Sequence, residues 1–101
     1  MSIVDILAAD RRLVALRCLS EVAGYRLNEQ VLQTAIGSIT HRCSADELRA
    51  DLEFLRRHGL VTVEHIQVPS GELLAATLTQ AGLDVSQGQP HPGIARPAPG
   101  A

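Results

Sequence analysis

The hydrophobic pattern of this chain changes period at Gly59, and that change limits the folds open to it. Beyond it, Leu60-Val61-Thr62-Val63-Glu64-His65-Ile66 reads as a strand, residues 67–71 as a turn, and Glu72-Leu73-Leu74-Ala75-Ala76-Thr77-Leu78 as a return strand. Before it lies the clearest helix start in the sequence. Ser44-Ala45-Asp46-Glu47 fits the capping box, in which the serine oxygen accepts from the amide three residues on and the glutamate reaches back to the cap amide. Ala45, Leu48, Leu52 and Leu55 follow at helical spacing, and Gly59 after His58 supplies the stop.

Two helices precede this one. Residues 3–23 read as helix ended by Gly24 in a left-handed conformation, with Asp10 able to restart it as a cap after a short leading helix at 2–8. Its main stripe is Leu13, Leu16, Leu19 and Val22. A second row, Ile3, Leu7, Val14 and Cys18, makes the apolar arc wider than one small core needs, which predicts a homodimer contact through those four residues. Tyr25-Arg26-Leu27 is a connector or a one-bridge strand. Asn28 then caps a second helix, with Glu29 in its first turn beside the positive helix end and Val31, Leu32, Ala35, Ile36 and Ile39 on its buried face. After the hairpin, Thr79 caps a short last helix running through Val85, with Gly82 tolerated inside it.

The order helix, helix, capped helix, hairpin, helix predicts a mainly α domain with a small antiparallel β-hairpin, the plan of a winged helix-turn-helix, over residues 1–87. Residues 88–101, GQPHPGIARPAPGA, hold four of the five prolines and a single charge, Arg96. They cannot form a helix or an interior strand and read as a disordered tail, in which Ile94 or Arg96 is the candidate for docking on a partner. A chain of 101 residues is one domain. Phe54 and Tyr25 are its only aromatics, so the core must be built from Leu, Val, Ile and Ala. The longest uncharged apolar stretch near the start, Ile6 to Ala9, is followed at once by Asp10-Arg11-Arg12, which argues against a signal peptide or a membrane span. The reading is cytoplasmic, with Cys18 and Cys43 as reduced thiols.

The run Ser44-x-x-x-Leu48-x-x-Asp51-Leu52-x-x-Leu55-x-x-x-Gly59-Leu60-Val61 resembles the third helix and first wing strand of bacterial winged-helix regulators, and Leu78-Thr79-x-x-Gly82 resembles the segment after their wing. The opening SIVDILAADRRLVALRCLSEVAGYRLNEQVLQ, with LRADLEFLRRHGLV and ATLTQAGLDV, is similar to a family of small proteins of Mu-like phages and prophages labelled as ArsR-type regulators. The resemblance implies a phage origin, a winged-helix fold and the cytoplasm of the host cell. Metal-sensing ArsR proteins carry paired cysteines in the helix that reads DNA; residues 45–58 here contain none, so metal sensing does not come with the label.

Affinity for duplex DNA comes mainly from neutralising phosphates. The nine positive charges are all arginines, a habit of a GC-rich coding sequence, and their placement is not basic where DNA would lie. Residues 28–58 hold four arginines against five acids, and 59–78 hold none against two. Arg42, Ser44 and Arg49, with Gln67 and Ser70 in the wing, form the best set of DNA contacts. Folding rules offer other roles for several of them: Ser44 as a cap, Asp46 and Glu47 as helix-dipole partners, Arg49 as the mate of Glu53 four residues on, and Arg56 and Arg57 as cations at a helix C-terminus. Asp51 would pair with Arg26 or Arg42. The function so predicted is DNA binding in transcription or packaging. The alternative is an adaptor that binds a basic phage or host protein through its acidic third helix and wing. His41-x-Cys43 with His58 or His65 matches no closed zinc motif, no cofactor is implied, and no phosphate loop or nucleophile elbow points to catalysis.

Overall fold

The structure, a computed structural model, describes residues 2–96. Helix α1, Ile3–Ser20, starts at Ser2, whose side chain accepts from the Asp5 amide, and runs unbroken. Asp10 does not restart it, because that carboxylate instead accepts from the Thr40 hydroxyl at 2.6 Å. The helix ends before residue 23, and Gly24, with φ 76°, turns the chain within the 3-10 segment Ala23–Tyr25 that follows. Strand β1, Arg26–Asn28, leads into α2, Glu29–Ile39, capped by the Asn28 side chain on the Val31 amide. Helix α3, Ala45–Arg57, has both halves of the capping box between Ser44 and Glu47. Strands β2, Val61–Val68, and β3, Gly71–Leu78, pair from Val61↔Leu78 to Val68↔Gly71. The turn is therefore only Pro69-Ser70, tighter than expected, and places Gln67 in a strand opposite Glu72. Helix α4, Gln80–Ser86, follows the Thr79 cap.

The segment at 25–27, expected as a connector or a one-bridge strand, forms the three-residue strand β1. Arg26, Leu27 and Asn28 pair with Thr77, Ala76 and Ala75, so the hairpin becomes a three-stranded antiparallel sheet in the order β1-β3-β2. Leu13, Leu16 and Leu19 of α1, Leu32 and Ile36 of α2, and Leu48, Leu52 and Leu55 of α3 meet Val61, Ala76 and Leu78 of the sheet in one core.

Two expectations about burial change. Val14 and Cys18, assigned to a dimer contact, are buried in the chain's own core, where they border a cleft with Ile39 of α2 and Ser86 of α4. The row looked surplus because α4 is too short to advertise itself as a cover. Ile3 and Leu7 are exposed, together with Val4 and Ile6. Val31 and Ile39 face solvent, whereas Glu29 is buried. Gly82 is required, since a Cβ there would overlap the Leu60 carbonyl oxygen and crowd the Leu78 side chain.

The tail differs most. Residues 88–96 pack against α1 and α3: Ile94 is buried, the Ala95 amide donates to the Ala9 carbonyl at 3.1 Å, and Arg12 Nη1 donates to the Gly93 carbonyl at 3.0 Å. Phe54 stacks on His58 at 4.3 Å between ring centroids, takes the Arg12 guanidinium over its ring at 3.9 Å and meets His91 edge-on. Proline excludes helix and interior strand, but it does not exclude an extended strap whose one large apolar side chain finds a pocket. The remainder of the expected tail, 97–101, lies outside the described residues.

Candidate nucleic-acid interface

The candidate face consists of α2, the turn at 40–44, α3 and the β2–β3 hairpin. Its backing is a buried ion cluster. Asp51 sits on the inward stripe of α3 and is 2% exposed; its two carboxylate oxygens accept from Arg11 Nε at 2.6 Å and Arg12 Nε at 3.1 Å. Neither Arg26 nor Arg42, the expected partners, is used. Burial alone would lower the Arg11 pKa, but the Asp51 hydrogen bond and the charges of Asp51 and Glu47 outweigh it and raise it. The sequence held a signal for this pair: Asp51 falls three residues after Leu48 and four before Leu55, on a buried face, and Arg11-Arg12 interrupt the apolar row of the first helix.

A second carboxylate joins α2, α3 and the hairpin. Glu29 Oε1 accepts from Arg49 Nε at 2.8 Å, and Glu29 Oε2 accepts from Arg49 Nη2 at 2.9 Å and from the Leu74 amide at 2.6 Å. Arg49 Nη2 also donates to the Glu72 carbonyl at 3.1 Å. Backbone pairing of β1 with β3 stops at Asn28↔Ala75, so the Glu29 side chain satisfies the next amide, Leu74, where the chain has already turned into α2. Arg49 is thus the mate of Glu29, and Glu53 instead pairs with Arg56 at 2.6 Å and reaches Arg57 at 4.0 Å. The first helical residue of α2 gave no hint of this role; only the tertiary approach of β3 creates it.

Burial by itself would raise the Glu29 pKa, but hydrogen bonds from Arg49 and the Leu74 amide, with the attraction of Arg49, outweigh it and hold the carboxyl below the usual range. A depressed folded-state pKa means stability that is complete above the ordinary glutamate range, near pH 4.3, and lost as pH falls through the lower folded value. Urea unfolding of wild type and Glu29→Gln from pH 7 to pH 3 should therefore show the difference between them shrinking toward the acid end. A pH-independent difference would contradict the role of the ionised carboxylate.

The expected DNA-contact residues divide. Ser44 is occupied as a cap, and Arg49 as described. Arg42 is exposed at the edge of an open cleft of about 460 Å³ lined also by Gln33, Thr34, Gly37 and Ser38; among the described residues no carboxylate lies within ion-pair distance of it. Gln67 and Ser70 are exposed, in β2 and at the hairpin tip. On α3, Asp46, Ala50, Glu53 and Arg57 make the outward stripe. Across the sheet Arg26 pairs with Glu64 at 2.9 Å, and His65 Nδ1 lies 2.9 Å from Glu72. His41 Nδ1 is 3.1 Å from the Thr40 hydroxyl, and its Nε2 is buried. Among the described residues no group of three His, Cys, Asp or Glu side chains is placed to hold a metal ion. Burial pushes both free thiols, Cys18 and Cys43, upward in pKa.

The chain is 38% identical over 96 residues, spanning 94% of it and 95% of the relative, to the uncharacterised protein gp26 of Escherichia phage Mu. The chain belongs to the family of phage Mu gp26. An uncharacterised protein of Haemophilus influenzae is 36% identical over 86 residues, covering 85% of this chain and 80% of that one. No family model matches. Among solved structures, a Thermoplasma acidophilum protein described as a "putative transcriptional regulator" superposes with a TM-score of 0.59 over 76% of each chain at 20% identity. At that identity what is shared is the fold, a mainly helical domain with a three-stranded antiparallel sheet. Among the described residues no helix is long and apolar enough to cross a membrane.

Proposed function

We propose that this gp26-family chain is a winged-helix DNA-binding protein of Mu-like phages, acting in transcriptional regulation or at a DNA-packaging step, with β2–β3 as the wing and no catalytic step. The observation that carries the reading is the α2–turn–α3 unit followed by the hairpin, in a fold shared with the Thermoplasma protein whose description is "putative transcriptional regulator". Arg42, in the turn before α3 and without a carboxylate partner among the described residues, is the phosphate contact; Gln67 and Ser70 are the wing contacts, and Ser44 serves through its cap. Titration of a fluorescent duplex at low salt should give salt-sensitive binding, and Arg42→Ala should weaken it by about 1 kcal/mol and reduce the salt slope by about one. No binding at tens of micromolar protein would remove the reading.

A second reading has its own support. Arg26, Arg49, Arg56 and Arg57 are each held by a carboxylate of the chain itself, while Asp46 stays exposed on α3. A face neutralised in this way suits an adaptor for a basic phage or host protein. Pull-down from induced cells returning such a protein in the absence of DNA would favour it, and recovery of DNA alone would count against it.

Pairing of two copies belongs to the same proposal. Ile3, Val4, Ile6 and Leu7 are exposed on the first two turns of α1, at 65%, 68%, 48% and 37%. An isolated helix end of this length is marginal in water, and a second copy of the same apolar end would cover it. Sedimentation at tens of micromolar should report a dimer that Ile3→Asp and Leu7→Asp dissociate. A monomer would end the proposal.

A further inference from the structure

Arg49 spends three of its five N–H groups inside the protein: Nε and one Nη2 hydrogen go to Glu29, and the second Nη2 hydrogen goes to the Glu72 carbonyl. Nη1 makes no hydrogen bond within the described residues, and the side chain is 41% exposed. The guanidinium is therefore neither mobile nor hidden. It is a planar fork fixed on one edge by a carboxylate that is itself buried and fixed by a backbone amide, with its remaining two donors on the edge away from Glu29. The side chain bridges the N-terminal half of α3 to the hairpin carbonyl at residue 72, so the guanidinium lies where α3 and the hairpin meet.

We infer that Glu29 is a positioning residue for anion recognition: it holds Arg49 so that Nη1 is presented, already ordered, to one oxygen of a DNA backbone phosphate at the α3–hairpin junction. This rests on the DNA-binding reading above and adds a second phosphate anchor to Arg42. The pair as a whole is neutral, so its contribution is directional more than Coulombic. An arginine pinned in advance loses little rotamer freedom on binding, and its two free donors are aimed by the fork's geometry. The same carboxylate receives the Leu74 amide, so the aim of Arg49 and the seat of the hairpin are set together.

The inference makes an expectation opposite to simple charge counting. Glu29→Gln removes a negative charge beside a DNA face and by long-range electrostatics should tighten binding. If Glu29 positions Arg49, the variant should instead bind a 20-base-pair duplex about fivefold to tenfold more weakly, the scale of one lost hydrogen bond. Arg49→Lys, which keeps the charge and loses the fork, should be weakened to a similar extent, and the two changes combined should cost little more than either alone. All titrations are run on full-length protein at a temperature where circular dichroism shows each variant folded; Arg49→Lys, which leaves Glu29 bonded to Leu74, covers the case in which Glu29→Gln does not fold. Equal or tighter binding by Glu29→Gln with wild-type binding intact, or undiminished binding by Arg49→Lys, overturns the inference and leaves the DNA-binding reading standing. Loss of wild-type binding overturns that reading instead.

Discussion

Replacing Asp51 with Asn is expected to cost about 3–5 kcal/mol, the scale for removing one partner of a buried ion pair. The side chain keeps its shape, but it no longer carries the charge that holds Arg11, which is 7% exposed and, among the described residues, has only Glu47, at 3.7 Å, as another carboxylate. Arg12 loses the same partner and with it part of the geometry that lays its guanidinium over Phe54 and its Nη1 on the Gly93 carbonyl. A domain of this length has about 5–15 kcal/mol in all, so the variant should be at the edge of unfolding at 37 °C. Urea denaturation followed by circular dichroism measures the loss. A cost below about 1 kcal/mol would mean that the two guanidinium groups find water or other acceptors, and the cluster would not hold α1 against α3 as described. Changing Arg11 and Asp51 together to Met and Leu should recover much of the loss, because the cost lies in the uncompensated charge and an apolar pair avoids it.

Ile94→Ala should remove about 2–3 kcal/mol, a large figure for a residue in a segment whose composition reads as disordered. Ile94 is 7% exposed and belongs to the same core as Leu13 and Leu55. For a domain of this size such a loss corresponds to a fall in Tm of roughly 10–20 °C. Thermal unfolding gives the number directly. Gln89→Ala, an exposed residue of the same strap, is the control and should change Tm little. An unchanged Tm for Ile94→Ala would return residues 88–96 to the status of a tail.

Much of the fold was legible locally. Ser44 with Glu47, Asn28 and Thr79 all cap helices in the structure, because a side-chain oxygen satisfying an orphan amide is an interaction between residues three apart. The period change at Gly59 marks the passage from α3 to β2. The site was much less legible. Arg49 was matched with Glu53 because helical spacing is all that a sequence displays, whereas Glu29, twenty positions away, is nearer in space and offers both oxygens. Nor does the sequence display that Asp51 meets Arg11 and Arg12, some forty positions away, although its place on an apolar stripe marks it as a carboxylate needing a buried cation.

The apolar rows were legible as rows but not as interfaces. Periodicity reports that Val14 and Cys18 will leave water; it does not report whether α4 of the same chain or a second chain covers them. The tail failed in the opposite direction. Low hydrophobicity and many prolines describe the average of a segment, and one isoleucine with three hydrogen-bonding or stacking neighbours is enough to seat it.

By itself the sequence determined the helices and the hairpin, their order and the caps of α2, α3 and α4, and through the likeness to phage Mu gp26 it determined the family. Those are consequences of contacts within a few residues or of common descent. The tertiary structure alone decided the third strand of the sheet, the strap over Phe54, and above all which charges remain available. Net charge belongs to the sequence, but what an arginine can offer a phosphate depends on which carboxylate of another element meets it and which donors that contact leaves free, and the meeting is set by packing across tens of residues.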